Sequence, residues 1–168
     1  MAVGNYRGKN DQNIGCAVVT VSDSRTEATD TSGKLAIRLI DEAGHRTISY
    51  EVVPDQREAI VVAVEKAALR KEASAVILTG GTGVAGGDVT IEAVQSLFVK
   101  DIPGFGEIFR MLSYEEIGSA AMMSRSAAGI YHGKAVFALP GSPGAVRLAM
   151  EKLILPELPH LVYELRKE

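Results

Sequence analysis

The feature that most constrains this chain is an alternation of short β-branched runs with longer segments of helical spacing, broken once by a glycine-rich loop. Ile14 to Val21 is apolar and carries Val18, Val19, Thr20 and Val21, too short and too β-branched for a helix, so it reads as a buried strand. Ser22-Asp23-Ser24 ends it. From Thr31 to Ala43 the residues Leu35, Ile37, Leu39 and Ile40 recur at near-helical spacing, with Asp30 as N-cap and Gly44 as stop. A second strand, Thr47 to Val53, is halted by Pro54, and an Ala/Val-rich helix follows from about Gln56 to Lys71. Ala75 to Thr79 is a third strand that runs into the loop, and a helix begins near Thr90. Parallel strands need crossovers, so the pattern predicts a three-layer α/β/α domain with a mostly parallel sheet. Ligands of such sheets bind at the carboxyl ends of the strands.

The second half is less regular. Pro103-Gly104-Phe105-Gly106 is read as a break before a helix from Glu107 to Ile117, and Ser119 to Ser126 is rich in small residues and Met. Ala127 to Tyr131 and Lys134 to Leu139 flank His132-Gly133 as a hairpin, adding one antiparallel strand. Pro140-Gly141-Ser142-Pro143 is a tight loop, with helix from about Gly144 onward. There is no internal repeat, so the reading is a polar tail over residues 1–13 and one domain over 14–168. A chain of this length buries about 68–70% of its unfolded surface without staples.

Composition excludes several classes of function. The net charge is −3, with 18 basic and 21 acidic residues mixed along the chain, so no diffuse positive field exists to bind nucleic acid. Aromatics are sparse and Trp is absent, which argues against base-stacking platforms. Cys16 is the one cysteine, so no internal disulfide or cysteine-rich metal site forms. Met1 to Asn13 lacks an apolar signal core and no segment reaches 18 consecutive apolar residues, giving the expectation of a cytoplasmic protein with no membrane partner.

Gly80, Gly81, Gly83, Gly86 and Gly87 place five glycines in eight residues between a strand and a helix. Such a backbone can approach an anion closely and aim N–H groups at it. A flexible turn is the plain alternative, but the loop lies where an open sheet holds its ligand. Gly81-x-Gly83-x-x-Gly86 formally matches a dinucleotide fingerprint, with Asp101 at the right distance, and an oxidoreductase reading rests on that match alone. The helix starts after Gly86, however, and Asp101 abuts Ile102-Pro103-Gly104, so the match misleads. No Gly-Lys-Ser/Thr follows to make a Walker loop.

Thr79-Gly80-Gly81-Thr82-Gly83, Asp88-Val89-Thr90, Pro103-Gly104-Phe105-Gly106-Glu107, Ser124-Arg125 and Leu139-Pro140-Gly141-Ser142-Pro143 occur in an order that resembles the MoaB/MogA family of molybdenum cofactor biosynthesis proteins. The likeness spans about Ile14 to Lys152, and Phe109 to Gly118 looks like the MoaB branch. The resemblance implies molybdopterin as ligand, other proteins of that pathway as partners, and a homotrimer, alone or paired into a hexamer, with Ser119-Ala120-Ala121 available for close packing. Its catalytic members adenylylate molybdopterin with ATP and Mg2+, releasing pyrophosphate. One position departs: many of those members carry a base immediately before the loop aspartate, where this chain has Gly87. A non-catalytic molybdopterin carrier is therefore the alternative reading.

Adenylyl transfer uses the substrate's own phosphate as nucleophile, so the protein need only position groups and stabilise charge. Asp55 and Asp88 match aspartates the family uses in nucleotide and metal chemistry, and are the expected catalytic residues and Mg2+ ligands. The competing roles are an N-cap with Glu58 as its capping-box partner for Asp55, and a turn aspartate before an N-cap at Thr90 for Asp88. Asp23 is a candidate for ATP, with an Asx turn as the alternative, and Ser22 beside it joins the expected substrate-binding set. The expected substrate-binding set is completed by Thr79, Gly80, Gly81, Thr82, Gly83, Thr90, Ser124, Arg125, Pro140, Gly141 and Ser142. Arg125 offers a guanidinium to the substrate phosphate, against the alternative of a surface salt bridge. His45, His132 and His160 are assigned to surface or turn structure, Cys16 to the core, and Met111, Met122 and Met123 to core or subunit interface.

Overall fold

The computed structural model describes residues 13–167; the expected tail, up to residue 12, lies outside the described residues. The elements in chain order are β1 (Gly15–Val21), α1 (Thr31–Glu42), β2 (Arg46–Val53), α2 (Arg57–Ala68), β3 (Ala75–Thr79), α3 (Thr90–Gln95), β4 (Lys100–Asp101), α4 (Pro103–Ile117), a 3-10 segment (Gly118–Met123), β5 (Ala127–Tyr131), β6 (Lys134–Leu139), α5 (Pro143–Ala149), a π segment (Met150–Ile154) and α6 (Leu155–Leu165). The six strands form one sheet in the order β2-β1-β3-β6-β5-β4. β2, β1, β3 and β6 run parallel, and β5 is antiparallel to both of its neighbours. The fold is the expected mostly parallel α/β/α sandwich.

The period of two along the strands sorts the core into two faces. Cys16 and Val18 of β1, Ala75 and Ile77 of β3, and Ala135, Phe137 and Leu139 of β6 pack with Leu35, Ile40, Phe109, Met150 and Leu158. Their alternating neighbours Ala17, Val19, Val76, Leu78, Val136 and Ala138 pack with Ile60, Ala63, Val64 and Ala67 of α2 and Val94 of α3. Strands buried on both faces explain why β1 and β3 are apolar except at Thr20 and Thr79, near their carboxyl ends. Cys16 is in the core as expected, and burial pushes its thiol up to about 12.

Several local expectations are corrected. Pro103 does not break the chain but opens α4 at its first helical position, where its missing N–H costs nothing and its fixed φ suits the helix. Thr90 is the first residue of α3 and Val89 occupies the cap position. Ser142 caps α5 by accepting from the Ala145 N–H at 3.2 Å, so helix resumes at Pro143. His45 is buried rather than at the surface, its Nδ1 accepting from the Ile14 N–H at 3.2 Å; burial lowers its pKa. Met111, Met122 and Met123 are exposed, which removes the core from their two expected roles. Among the described residues no helix is long and apolar enough to cross a membrane.

Phe109 is fully buried and stacks with Phe105, whose ring meets Phe137 of β6 edge-on at 5.3 Å. Phe109→Ala is expected to cost about 3–5 kcal/mol through lost burial and a residual cavity, read as a lower urea midpoint with an unchanged slope.

Candidate functional site

β1 is flanked by β2 on one side and β3 on the other, so the crossovers leaving β1 and β2 run in opposite directions across the sheet. The gap between the carboxyl ends of β1 and β3 is the place where such a sheet opens to a ligand. A cavity of about 620 Å³ occupies it. Twelve of the expected site residues line this cavity: Ser22, Thr79, Gly80, Gly81, Thr82, Gly83, Asp88, Ser124, Arg125, Pro140, Gly141 and Ser142. Asp23, Asp55 and Thr90 are not in its wall. Thr20, Ser24, Arg25 and Met123 are, none of them among the expected site residues.

The loop after β3 needs glycine at two positions. Gly80 has φ +94°, and a Cβ there would lie 2.2 Å from the Val21 carbonyl oxygen. Gly81 has φ +64°, and a Cβ there would lie 2.3 Å from Thr90 Oγ1 and 2.7 Å from Asp55 Oδ2. Both conformations are costly for side-chain-bearing residues, so the loop's shape is written into its composition. Asp88 closes it: its carboxylate accepts from the Ala85 N–H at 3.2 Å, and its own N–H donates to the Ala85 carbonyl at 3.0 Å. Asp88 is therefore the turn-former and a cavity residue together.

Asp55 is not the N-cap of α2. Gln56 occupies that position without a side-chain cap bond, and the Asp55 carboxylate instead accepts from the Val89 N–H at 3.2 Å, 34 residues away. The Asp55 N–H in turn donates to Asp23 Oδ1 at 2.9 Å. The turn after β1 is made by Ser22, whose hydroxyl accepts from the N–H groups of Ser24 and Arg25, and not by Asp23. Asp23, Asp55 and Val89 thus join the loops following β1, β2 and β3. Desolvation raises the pKa of Asp55, the Val89 N–H offsets part of that, and the nearby charges of Asp88, Asp23 and Glu92 raise it further.

Two arginines flank the cavity. Arg125 donates through Nη1 to the Gly83 carbonyl at 3.1 Å and through Nη2 to Glu92, so the expected salt bridge and the approach to the loop coexist. Arg25 donates through Nη1 to Ser32 Oγ at 3.3 Å and to the Gly141 carbonyl at 3.4 Å. The loop itself has Gly87 where a base was expected, but cationic charge reaches the cavity from these two other segments.

Oxygen donors and excess negative charge behind Gly81 fit a hard divalent cation. The Thr90 hydroxyl there is buried with no hydrogen-bond partner, close to the same point as the Asp55 carboxylate. No group of three or more His, Cys, Asp or Glu among the described residues gathers tightly enough to hold a metal. Mg2+ needs no more than one or two carboxylates when phosphate oxygens and water complete its shell.

Residues 17–160 match the family model described as "Probable molybdopterin binding domain". The chain is 53% identical over 169 residues to molybdenum cofactor biosynthesis protein B of Bacillus subtilis (strain 168), covering 100% of this chain and 99% of that protein. It is 49% identical over 162 residues to the protein of the same name from Staphylococcus carnosus (strain TM300), covering 95% of each. Among solved structures, one of a molybdenum cofactor biosynthesis protein B superposes with a TM-score of 0.92 at 52% identity, covering 94% of this chain and 98% of that one. The tungsten cofactor synthesizing protein MoaB from Pyrococcus furiosus gives a TM-score of 0.83 at 37% identity, covering 92% and 98%.

Because ionised Asp55 is disfavoured in the fold, its contribution to stability is most favourable when protonated and falls as pH rises through its raised folded pKa. Asp55→Asn, which keeps an acceptor for Val89, is expected to be at least as stable as wild type near pH 7, with the difference vanishing in acid. Asp55→Ala loses the acceptor and should cost about 1 kcal/mol. Thermal unfolding of the three proteins between pH 4 and 8 measures both effects.

Proposed function

The chain belongs to the molybdopterin-binding family of molybdenum cofactor biosynthesis proteins, and from that premise we propose that it binds molybdopterin in the cavity and adenylylates it with Mg-ATP, releasing pyrophosphate. The observation that carries this reading is the glycine loop at the β1/β3 opening, flanked by Arg25 and Arg125 and closed by Asp88. Backbone N–H groups of Gly81 to Gly83 and the two guanidiniums provide positive potential for phosphate without any side chain having to act as nucleophile, the Gly80 N–H being held by the Leu139 carbonyl at 3.0 Å. An oxygen of the pterin's phosphate attacks the α-phosphorus of ATP, the new P–O bond forms, and the bond to pyrophosphate breaks.

Asp88 and Asp55 would hold Mg2+, which when bound would neutralise polyphosphate charge. Arg125, beside Asp88's loop, bears on the polyphosphate. Asp55 also fixes the loop through Val89, and Ser124 and Ser142 border the cavity as hydroxyl donors. The protein works in the cytoplasm with the other proteins of the pathway. The carrier reading keeps the same pocket and omits the transfer.

Incubation of the pure protein with molybdopterin, ATP and Mg2+ decides between the two. The expected result is adenylylated molybdopterin and pyrophosphate in equal amounts; binding with no product above background overturns the enzyme in favour of the carrier. Asp88→Asn is expected to lower turnover far more than molybdopterin affinity, since it removes charge and keeps shape.

We further infer a homotrimer, alone or paired into a hexamer. Ile108, Met111, Tyr114, Ile117 and Met122 are exposed along α4 and the 3-10 segment after it, an apolar stripe that a second copy would cover. Light scattering at micromolar concentration is expected to give a mass of three or six chains; a monomer contradicts it.

A further inference from the structure

The two arginines at the cavity differ in what they have left to give. Among the described residues, Arg125 spends both terminal nitrogens on protein, Nη1 on the Gly83 carbonyl and Nη2 on Glu92. Among the described residues, the side-chain contacts of Arg25 all run through Nη1, leaving Nη2 and Nε, the pair of donors that meets a phosphate in bidentate fashion.

Arg25 is also held from behind by a carboxylate that does not compete for those donors. Asp30, at the start of α1, is fully buried. It accepts from Thr20 Oγ1 at 2.6 Å, from Tyr50 Oη at 2.5 Å and from the Gly33 N–H at 2.9 Å. Burial would raise its pKa, but these bonds and the charge of Arg25 outweigh that and lower it. Arg25 Nη1 stands 3.8 Å from Asp30 Oδ1, outside hydrogen-bond range, so the attraction orients the guanidinium without occupying it. Ser32 and the Gly141 carbonyl complete the mount, themselves joined by a 2.6 Å bond from Ser32 Oγ. The cluster leaves no room for a side chain at position 33, where a Cβ would meet Asp30 Oδ2 at 2.1 Å and Thr20 Oγ1 at 2.5 Å.

We propose that Arg25 is the specificity-determining residue that receives the monoester phosphate of the pterin ligand, and that Asp30 is the buried residue that positions it. This rests on the reading of the cavity as a phosphorylated-pterin site. A guanidinium fixed before the ligand arrives loses less freedom on binding than a mobile one, so its contribution falls on the phosphate and not on the ring.

The test uses the full chain and two stable probes, the phosphate monoester of hydroxymethylpterin and its free alcohol, with affinities read by fluorescence titration. Wild type is expected to prefer the ester by about tenfold or more, the size of a charge-assisted pair. Arg25→Gln is expected to remove that preference with alcohol affinity unchanged, and Arg25→Lys to restore part of it. Asp30→Asn is expected to cut ester affinity several-fold while sparing the alcohol. If that variant does not fold, Tyr50→Phe, which removes one of the two hydroxyl bonds to Asp30 Oδ2 and leaves the carboxylate freer to draw Arg25 inward, is expected to give the same ester-selective loss. An Arg25→Gln protein that keeps the ester preference, or loses both probes equally as a merely structural residue would, overturns the inference. So does a wild type with no ester preference; a wild type that binds neither probe overturns the proposed function as well.

Discussion

One carboxylate, Asp55, ties together the three loops on which the cavity depends. Its backbone N–H donates to Asp23 after β1, and its side chain accepts from Val89 beyond the glycine loop. A loop made of Gly80, Gly81, Gly83, Gly86 and Gly87 has little side-chain packing of its own to hold a shape, so its conformation must be imposed from outside. Asp55 imposes it from one end, and Asp88 folds the middle back on Ala85. The same arrangement gathers negative charge behind a binding surface lined with positive groups. Desolvation and its acidic neighbours raise the pKa of Asp55.

The sheet supplies the place. β1, β3 and β6 end side by side, and their last residues lead into the Ser22 turn, the glycine loop and the Pro140 to Pro143 loop. Thr20 and Thr79 lie at paired positions with their hydroxyls 3.4 Å apart, carrying the polar character of the cavity into the top of a core that is otherwise apolar. From there the Thr20–Asp30–Tyr50 bonds extend to α1 and β2. Fold and site therefore share residues, and a change such as Gly33→Ala disturbs both.

What was legible in the sequence was what short-range pattern encodes. The strands of the hairpin, Ala127–Tyr131 and Lys134–Leu139, fall where the sequence places them because His132-Gly133 marks the turn and both flanks are apolar. The glycine loop was legible because five glycines in eight residues between a strand and a helix stand out in the sequence itself. The competing cap role of Asp55 arose because Asp55-Gln56-Arg57-Glu58 is a good local capping pattern, while its actual partner is 34 residues further on. Pro103 looks like a breaker until α4 shows it at the first helical position. Arg25 carried no motif at all: its value comes from the Gly141 carbonyl, 116 residues away, and from a carboxylate that only folding buries.

In the proposed function, the backbone of the glycine loop, held by Asp55 and Asp88, is the surface that receives the phosphorylated pterin. Hydrogen exchange of the full chain with and without saturating molybdopterin tests it most directly. Slowed exchange is expected at the amides of Gly80 to Asp88 and of Ser24 and Arg25, with the opposite end of the sheet, around Ser74 and Lys134, unchanged. Unaltered exchange across Gly80 to Asp88 at saturation would contradict it.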